Sequence, residues 1–300
     1  MTPSELTGHT NRKRHAPSMK TPKRLEPLLE DGIIDEVVSQ LKSGKEATVY
    51  LVRCGETLRC AKVYKDLQHR SFRQASVYRE GRKVRNTRDA RAMAKGSRFG
   101  KQESEETWQN AEVSALYRLS EAGVRVPVPF GCHDGVLLME MVNDGEGHPA
   151  PRLSEVDFSP EDAVECHQQL IREVVRMLCA GLVHGDLSEY NILMDPQGPV
   201  IIDLPQAVDA AANAHARTML ERDVRNLAEY FGQFAPELLD TAYEREIWAL
   251  YEEGMLTPET HLTGVAEEDT TLVDLISIFQ AIDDAKKEEE DRIRRLQEDS

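Results

Sequence analysis

Three short runs of β-branched and aromatic residues, separated by polar turns, occupy the region from Ile33 to Tyr64. Residues of these types fit a pleated, half-buried surface, and the turns between the runs contain Gly44 and Gly55. The pattern therefore predicts a three-stranded antiparallel meander. Its strands are expected to contain Val37–Leu41, Ala47–Val52 and Leu58–Tyr64.

Apolar residues change to helical spacing between Glu105 and Leu119, which predicts an amphipathic helix. The next apolar segment, Val126–Phe130, contains two prolines. Because proline cannot donate to a central β ladder, this segment is expected at a sheet edge. The nearly uninterrupted apolar run of Gly135–Val142 predicts a buried strand.

The second half of the chain has mainly helical patterns. Ser159-Pro160-Glu161-Asp162 has serine as N-cap, proline at the first helical position and acids in the first turn, so it predicts a helix that runs to Leu178. The Gly- and Pro-rich segment Asn143–Pro151 separates this half from the sheet, which favours an α+β class with two lobes. Further helices are predicted at Ala214–Phe234, Ala235–Glu253 and Leu272–Ala285.

Composition divides the chain further. Residues 1–24 are rich in Pro, Thr, Ser and basic residues, and they are predicted to form a disordered basic tail. The sheet lobe is assigned to residues 25–142, with a basic flexible loop at about 66–103. The helical lobe is assigned to residues 143–285, and the mixed-charge residues 286–300 form a C-terminal tail.

The formal net charge of -16 argues against a nucleic-acid partner, because phosphate repels an acidic surface. Positive charge is nevertheless concentrated between residues 68 and 101, where the only acids are Glu80 and Asp89. A basic segment of this kind can contact an anionic partner. The bases are Arg70, Arg73, Arg79, Arg82, Lys83, Arg85, Arg88, Arg91, Lys95, Arg98 and Lys101.

Several features predict a cytoplasmic location. No apolar run is long enough to span a bilayer, so no membrane partner is expected, and the basic N-terminal residues are not followed by the apolar segment of a secretory signal. The 5 cysteines are scattered and never form C-x-x-C, which argues against a disulfide framework or a zinc site. We expect them to be reduced and mostly buried.

Two acids and an amide follow apolar runs in the helical half. Asp186 comes shortly after Leu182–Val183, in a turn where its carboxylate can accept or orient the proton of a hydroxyl. Asn191 follows one short loop later, and Asp203 closes the apolar run Val200–Ile202. Amide and carboxylate oxygens are ligands that Mg²⁺ prefers. Together these residues predict a site that holds Mg-ATP and directs a hydroxyl at the terminal phosphate.

The sheet half supplies candidates for nucleotide binding. Lys62 lies on the third predicted strand, and a lysine that points from a strand into a cleft can hold the α- and β-phosphates. Glu112, on the following helix, can pair with Lys62. Ser43 and Gly44 can offer hydroxyl and backbone donors to phosphate, and Lys45 is a further candidate in the same turn.

Two further motifs are interpreted as structural. The ring of His184 is expected to form a hydrogen bond with backbone and so to brace the loop that carries Asp186. Ala235-Pro236-Glu237 spells the tripeptide that closes the activation segment of conventional kinases. We interpret Pro236 instead as a helix-start proline, with Glu237 in the first turn.

Together these residues resemble the RIO family of atypical serine/threonine protein kinases, and its first branch more than the branch with an N-terminal winged helix. The resemblance extends from about Ile33 to about Ile282. It is densest in Leu182–Leu193 and Ile201–Val208. The other segments that carry it are Ser43–Tyr50, Ala61–Lys65, Trp108–Glu112 and Pro149–Leu153.

The resemblance implies a two-lobed protein kinase-like fold, with a small antiparallel-sheet N-lobe and a mainly helical C-lobe, that uses ATP and Mg²⁺. By motif position, Asp186 matches the catalytic acid, and Asn191 and Asp203 match the metal ligands. Lys62 matches the ATP lysine and Glu112 its ion-pair partner.

The resemblance also implies a hinge at Glu140 through Val142 that reads adenine. In this family the position of Asp203 can itself become phosphorylated, so it also implies ATPase activity through an aspartyl-phosphate. The chain differs from conventional kinases at Gly185, where they have Arg, and at Leu204-Pro205, where they have Phe-Gly. These differences argue against regulation by phosphorylation of an activation loop.

Three functions are consistent with these motifs. The leading hypothesis is phosphoryl transfer to Ser/Thr of an unknown protein substrate, including autophosphorylation. A small-molecule kinase of the aminoglycoside phosphotransferase kind has a catalytic segment similar to His184–Asn191, although the turn Ser43–Tyr50 favours the RIO family. The third hypothesis is an ATP-driven switch on ribosomal particles, with the basic stretch 68–101 contacting RNA.

Overall fold

A computed structural model of the chain describes residues 21–65 and 111–265. The predicted N-terminal tail, the basic loop, the helix Leu272–Ala285 and the C-terminal tail lie wholly or almost wholly outside the described residues. The division of the chain into residues 25–142 and 143–285 therefore stays a prediction.

The first half forms a five-stranded antiparallel sheet in which the strand order is β1-β2-β3-β5-β4. The predicted meander is confirmed, and the proline-containing segment lies at an edge of the sheet as expected. The predicted buried strand pairs between β3 and β4. The strands are β1 (Glu36–Ser43), β2 (Ala47–Cys54), β3 (Thr57–Tyr64), β4 (Pro129–His133) and β5 (Val136–Glu140).

Two helices cover this sheet or connect it to the second half. The short helix α1 (Glu26–Glu30) buries Leu28 against one face of the sheet. Helix α2, at residues 111–121, corresponds to the described part of the helix that the spacing predicted. Its residues Leu116 and Leu119 belong to the same buried cluster as the core of the helical half, so α2 links the two halves.

The second half contains helices α3 (Pro160–Cys179), α4 (Ala216–Phe231) and α5 (Tyr243–Glu252). Ser159 caps α3 as predicted, because its hydroxyl accepts a hydrogen bond from the Asp162 N–H at 3.1 Å. The residues on the buried sides of these helices form the largest core cluster among the described residues. No described helix is both long and apolar enough to cross a membrane.

The predicted single helix Ala235–Glu253 is wrong. Pro236 does begin a helix with Glu237 in its first turn, as expected, but this is a 3-10 helix that ends at Asp240, and α5 starts only at Tyr243. Thr241 separates them: its backbone is extended, and its hydroxyl donates to the Leu238 carbonyl at 2.7 Å. A threonine hydroxyl that bonds to nearby backbone competes with helix formation, and apolar spacing does not report this.

The expectation that most cysteines are buried is also wrong. All five have free thiols, but only Cys60 and Cys166 are buried. Cys132 and Cys179 are exposed, and Cys54 is intermediate. Cys132 lies on the edge strand β4 and Cys179 is the last residue of α3, positions that are less enclosed than the core.

Two small antiparallel strand pairs place the loops at the junction of the halves. Strand β6 (Leu182–Val183) pairs with β9 (Val208–Asp209), and β7 (Ile192–Asp195) pairs with β8 (Gly198–Ile201). The predicted catalytic loop runs from β6 to β7, and the segment that contains Asp203 runs from β8 to β9. Both loops therefore open on the same side of the helical half.

Candidate active site

A cleft of about 630 Å³ lies between the sheet and the helical half. Its lining comes from the β1–β2 turn, from β3, from the chain after β5 and from the two loops of the helical half. It includes seven of the nine residues predicted for the site: Lys45, Lys62, Glu140, Val142, Asp186, Asn191 and Asp203.

Lys62 makes two ion pairs inside this cleft. It lies in the central strand β3, between Val49 on β2 and Leu137 on β5. Its Nζ is 2.6 Å from Glu112 Oε1 and 2.8 Å from Asp203 Oδ1. Burial alone would lower the pKa of Lys62, but the two carboxylates outweigh it and raise the pKa above its ordinary value, so the lysine is charged.

Glu112 is the eighth predicted residue, and it lies behind Lys62. It is 4% exposed, and its second oxygen accepts a hydrogen bond from the Tyr64 hydroxyl at 2.7 Å. A buried carboxylate is costly unless both oxygens find partners, and here a lysine and a tyrosine satisfy them. Tyr64 follows Lys62 by two residues on the same strand, so both side chains lie on the same face of the sheet.

Asp203 lies two residues beyond the end of β8, and its φ of 68° is in the left-handed region that few non-glycine residues occupy. This conformation, at an exposed turn, is consistent with a functional constraint. The Lys62 ammonium lowers the pKa of Asp203, an effect that partial burial opposes. Asp203 is therefore an ionised carboxylate that faces the cleft.

His184 braces the loop, as expected. Its Nδ1 accepts a hydrogen bond from the Asp186 N–H at 3.2 Å, which leaves Nε2 as the protonated nitrogen that donates to the Ile202 carbonyl at 3.1 Å. Burial lowers the pKa of His184, so the ring is neutral. The ring thereby joins the loop of Asp186 to the residue before Asp203.

Asp186 reaches the cleft from this loop. Its Oδ2 accepts a hydrogen bond from Gln206 Nε2 at 2.9 Å, and its main-chain carbonyl accepts one from Asn191 Nδ2 at 2.8 Å. The latter bond uses the amide nitrogen of Asn191 and not its amide oxygen. Partial burial raises the pKa of Asp186, and the nearby Arg222 opposes that rise.

Side chains of helix α4 form hydrogen bonds with the backbone of the loop that carries Asp186. Asp223 is 1% exposed, and its two oxygens accept hydrogen bonds from the N–H groups of Gly185 at 2.7 Å and Leu187 at 3.0 Å. Arg222 donates to the Gly185 carbonyl and Asn226 to the Leu187 carbonyl. Gly185 has a φ of 79°, which disfavours a side chain at the position where conventional kinases have Arg. Burial raises the pKa of Asp223 to about 7, and the two N–H donors oppose the rise.

The β1–β2 turn closes the cleft from the sheet side. The Gly44 N–H donates to the Ala47 carbonyl at 2.9 Å, so the segment is a hairpin turn. Lys45 lines the cleft, whereas the Ser43 hydroxyl lies 3.2 Å from that of Thr48 and accepts a hydrogen bond from Lys65 Nζ at 3.0 Å. Ser43, the ninth predicted residue, is therefore occupied by protein partners.

The predicted hinge lies at the far wall of the cleft. Glu140 ends β5, and its N–H donates to the Val128 carbonyl at 2.8 Å. The Val142 carbonyl accepts a hydrogen bond from Ala150 N at 3.0 Å, which ties the chain after β5 to the segment that leads into the helical half. Met141 and Val142 are buried apolar residues of this wall.

Sequence reasoning gave no role to three polar residues that the structure places here. Gln206 contacts Asp186, and Asp223 holds the loop. Arg152 lines the cleft and donates to the Tyr190 carbonyl. Gln206 and Arg152 lie in segments that carry the family resemblance, and Asp223 is an acid among the apolar residues that form the buried stripe of α4, but none of these signals indicated a role.

The pair of Lys62 and Glu112 in the sheet half, facing a loop that carries Asp186 and Asn191, is typical of a kinase-like fold. Comparison with known proteins supports this assignment, because the family model of the RIO domain matches residues 48–244. The chain belongs to the RIO domain family. The resemblance inferred from the motifs and the α+β two-lobed fold class are thus confirmed.

Named relatives agree with the family. The chain is 37% identical over 206 residues to the RIO-type serine/threonine-protein kinase Rio1 of Haloferax volcanii, which covers 68% of this chain and 66% of the relative. It is 33% identical over 207 residues to the human serine/threonine-protein kinase RIO1, covering 68% of this chain and 34% of the relative. The matched region is thus less than two thirds of either relative.

Proposed function

We propose that this protein transfers the γ-phosphoryl group of ATP, in the presence of Mg²⁺, to serine and threonine hydroxyls of protein, including its own. The observation that carries the proposal is the contact of Lys62 with both Glu112 and Asp203 in the cleft that also contains Asp186. Phosphoryl transfer requires mainly positioning and balance of phosphate charge, and this set of residues supplies both.

Lys62 is suited to bind phosphate oxygens. Its ammonium is charged and fixed by Glu112, whose other oxygen is itself held by Tyr64. A cation held in place on a rigid strand loses little further freedom when a phosphate approaches. The cleft wall formed by Glu140, Met141 and Val142 is the surface assigned to the adenine ring, and Lys45 also lines the cleft.

Asp186 is suited to orient the acceptor hydroxyl. Among the described residues, hydrogen bonds reach its Oδ2 and its main-chain groups, but none reaches Oδ1. The free oxygen can accept the proton of a serine or threonine hydroxyl, which aligns the oxygen of that hydroxyl for attack. His184, neutral and bonded at both nitrogens, positions the loop and does not compete for this role.

The donor set fits a Mg²⁺ ion. Asn191 donates through its amide nitrogen to the Asp186 carbonyl, and no hydrogen bond from the described part of the chain reaches its amide oxygen. Asp203 presents an ionised carboxylate that Lys62 contacts through Oδ1. Hard oxygen ligands of this kind suit Mg²⁺, which would supply charge neutralisation for the phosphates when bound. We assign Asn191 and Asp203 as the residues that would hold it.

The acceptor class follows from the family. The relatives are named serine/threonine-protein kinases, which favours a protein hydroxyl over a small alcohol. The basic stretch 68–101, for which contact with RNA or a ribosomal particle was predicted, lies outside the described residues, and that contact stays a prediction.

The test is incubation of the protein with γ-labelled ATP and Mg²⁺, with and without a generic acceptor protein. We expect Asp186→Asn and Asp203→Asn each to lower label transfer by at least ~100-fold, the usual scale for loss of a positioned acid or metal ligand. The exposed residue Asp240 offers a matched control, because Asp240→Asn changes an acid outside the cleft.

The chemistry of the label distinguishes the two activities that the family suggests. Acid-stable label on serine or threonine supports protein phosphorylation. Label that hydroxylamine removes, together with release of free phosphate, would indicate an aspartyl-phosphate ATPase centred on Asp203 and would overturn the proposal. Near-normal turnover in Asp186→Asn would remove that residue from the role assigned.

A further inference from the structure

The turn after Asp203 carries a side chain that reaches back to the catalytic loop. Leu204 and Pro205 are buried, and the Leu204 carbonyl accepts a hydrogen bond from Ala207 N at 3.0 Å, which closes the turn. Gln206 lies between these anchors, and its side chain extends over the cleft. Its Nε2 is 2.9 Å from Asp186 Oδ2.

The chemistry of this contact fixes its direction. An ionised carboxylate can only accept hydrogen bonds, so the Gln206 amide must present its NH₂ group to Asp186. The terminal torsion of an aspartate is broad and roughly two-fold, and a bond to one oxygen therefore restricts which oxygen faces the cleft. With Oδ2 engaged by Gln206, Oδ1 is the oxygen directed at an acceptor hydroxyl.

We infer that Gln206 is a positioning residue for phosphoryl transfer, which holds one oxygen of Asp186 so that the other faces the acceptor hydroxyl. This inference rests on the proposed function and deepens it. Gln206 lies in the turn closed between Leu204 and Ala207, three residues after Asp203, so the residue that orients the acid and the residue that would hold the metal come from the same segment between β8 and β9.

The geometry distinguishes this role from nucleotide binding. Lys62 and Asp203 contact each other on the phosphate side, whereas the side-chain hydrogen bond that Gln206 makes within residues 21–65 and 111–265 is to Asp186 on the acceptor side. Loss of the Gln206 amide should therefore slow transfer without weakening ATP binding. A packing role would be preserved by a residue of the same shape, whereas a hydrogen-bonding role would not.

The experiment compares wild type with Gln206→Met, which keeps the length of the side chain, and Gln206→Glu, which keeps its shape but cannot donate. We measure kcat for labelled phosphate transfer, the dissociation constant of ATP and the melting temperature. Both variants should lose roughly ten- to a hundredfold in kcat, since small misplacement of a reacting group is costly. ATP affinity should change by less than about twofold, and melting temperature should be unchanged. Gln197→Met, on the exposed β7–β8 turn, is the matched control and should behave as wild type.

A mutant cycle tests whether Gln206 acts through Asp186. In an Asp186→Ala background there is no carboxylate to position, so Gln206→Met should lower transfer by less than about twofold further. A full additional loss in that background would overturn the inference, as would a normal kcat in Gln206→Glu. A fall in ATP affinity equal to the fall in kcat would also overturn it, because it would place Gln206 on the nucleotide.

The proposed function and this inference fail in different ways. If the wild-type protein hydrolyses ATP but transfers no label to protein, the proposed acceptor is wrong. The effect of the two Gln206 variants on the rate of ATP hydrolysis would then test the inference. Wild-type transfer that persists unchanged in both Gln206 variants would overturn only the inference. Absence of any ATP turnover by wild type would overturn both.

Discussion

The two sides of the cleft are held together by different forces. On the phosphate side, Lys62, Glu112 and Asp203 come from three separate elements and meet through ion pairs at 2.6 and 2.8 Å. On the acceptor side, the loop around Asp186 is held by hydrogen bonds from α4 to its main chain, with Asp223 contacting two N–H groups. A charged ligand can compete for the first set of contacts, whereas it cannot replace the second.

Because of this difference, nucleotide binding and the geometry of the Asp186 loop should depend on different contacts. Buried charges lose hydration, and their mutual attraction offsets that loss only while every partner is present. A buried N–H group that loses its acceptor costs about 1–3 kcal/mol without any change in charge. Substitutions on the phosphate side should thus change nucleotide binding and stability together. Substitutions of the α4 residues that hold the Asp186 loop should change stability and turnover.

Among the substitutions that compare the two sides through both stability and turnover, the largest effect is expected at Lys62. Lys62→Met should impair productive ATP placement and lower transfer by roughly 100-fold, since it removes the cation that faces the phosphates. It should also lower the free energy of unfolding by about 3–5 kcal/mol, because Glu112 becomes an uncompensated buried charge. Labelled transfer and urea denaturation measure the two effects, with the exposed Lys23→Met as control.

A second substitution sharpens that result. Lys62→Met combined with Glu112→Gln should recover most of the lost stability, because no buried charge remains, but should recover no activity. If Lys62→Met alone left ATP turnover unchanged, the assignment of Lys62 to the phosphates would be wrong. If the double variant were no more stable than the single one, the ion pair would not be the cause of the loss.

A smaller effect is expected at Asp223, the residue of α4 that holds the Asp186 loop. Asp223→Ala leaves two buried N–H groups without an acceptor, so it should lower the free energy of unfolding by about 2–4 kcal/mol. It should also lower kcat at least tenfold while ATP affinity changes little, because the loop carries Asp186 and not the phosphate contacts. Glu229→Ala, an exposed acid on the same helix, is the control. A loss of ATP affinity larger than the loss of kcat would contradict the division between the two sides.

The sequence predicted residues on both sides of the cleft wherever a local pattern marked them. Asp186, Asn191, Asp203 and Lys62 were found because each lies in or near a short apolar run, where a polar residue reaches a strand end or a cleft. The strands and α3 followed from local periodicity and capping. Local patterns carry this information because strand alternation and helix caps depend on near neighbours.

Apart from the pair of Lys62 and Glu112, contacts between distant segments could not be predicted in the same way. The hydrogen bond from Gln206 to Asp186 depends on how two loops cross, and the sequence pattern of neither loop reports it. Asp223 lies on an apolar stripe where a buried acid is unexpected, and its partners lie 36 and 38 positions away. The break at Thr241 depends on one hydroxyl, which apolar spacing does not register.

The smallest effect concerns pH and a buried histidine away from the cleft. His167, on α3, is 0% exposed, and neither ring nitrogen has a hydrogen-bond partner among the described residues. Its ring contacts those of Phe231 and Tyr243, with centroids 5.7 Å away in each case. Burial lowers its pKa from 6.5 to about 4, so the folded protein holds the neutral ring.

The sign of the resulting pH dependence follows from linkage. Between pH 6.5 and about 4 the unfolded chain binds a proton at His167 that the folded chain does not, so this residue lowers stability as pH falls, by up to about 3 kcal/mol. The lowered pKa of Asp203 leaves its ion pair with Lys62 intact over the same range. The raised pKa of Asp223 has the opposite effect, because it increases stability as the pH falls. This contribution is the same in wild type and in a variant at His167.

His167→Phe should therefore isolate the histidine, because phenylalanine fills a similar space beside Phe231 and Tyr243 and cannot titrate. When the pH is lowered from 7.5 to 4.5, the free energy of unfolding, measured with urea, should fall less in His167→Phe than in wild type. If the two curves run parallel, His167 is either solvated or bonded in the folded state. If the free energy of unfolding falls less in the variant, protonation of His167 weakens the helical core in acid, while the ion pairs on the phosphate side of the cleft persist over the same range.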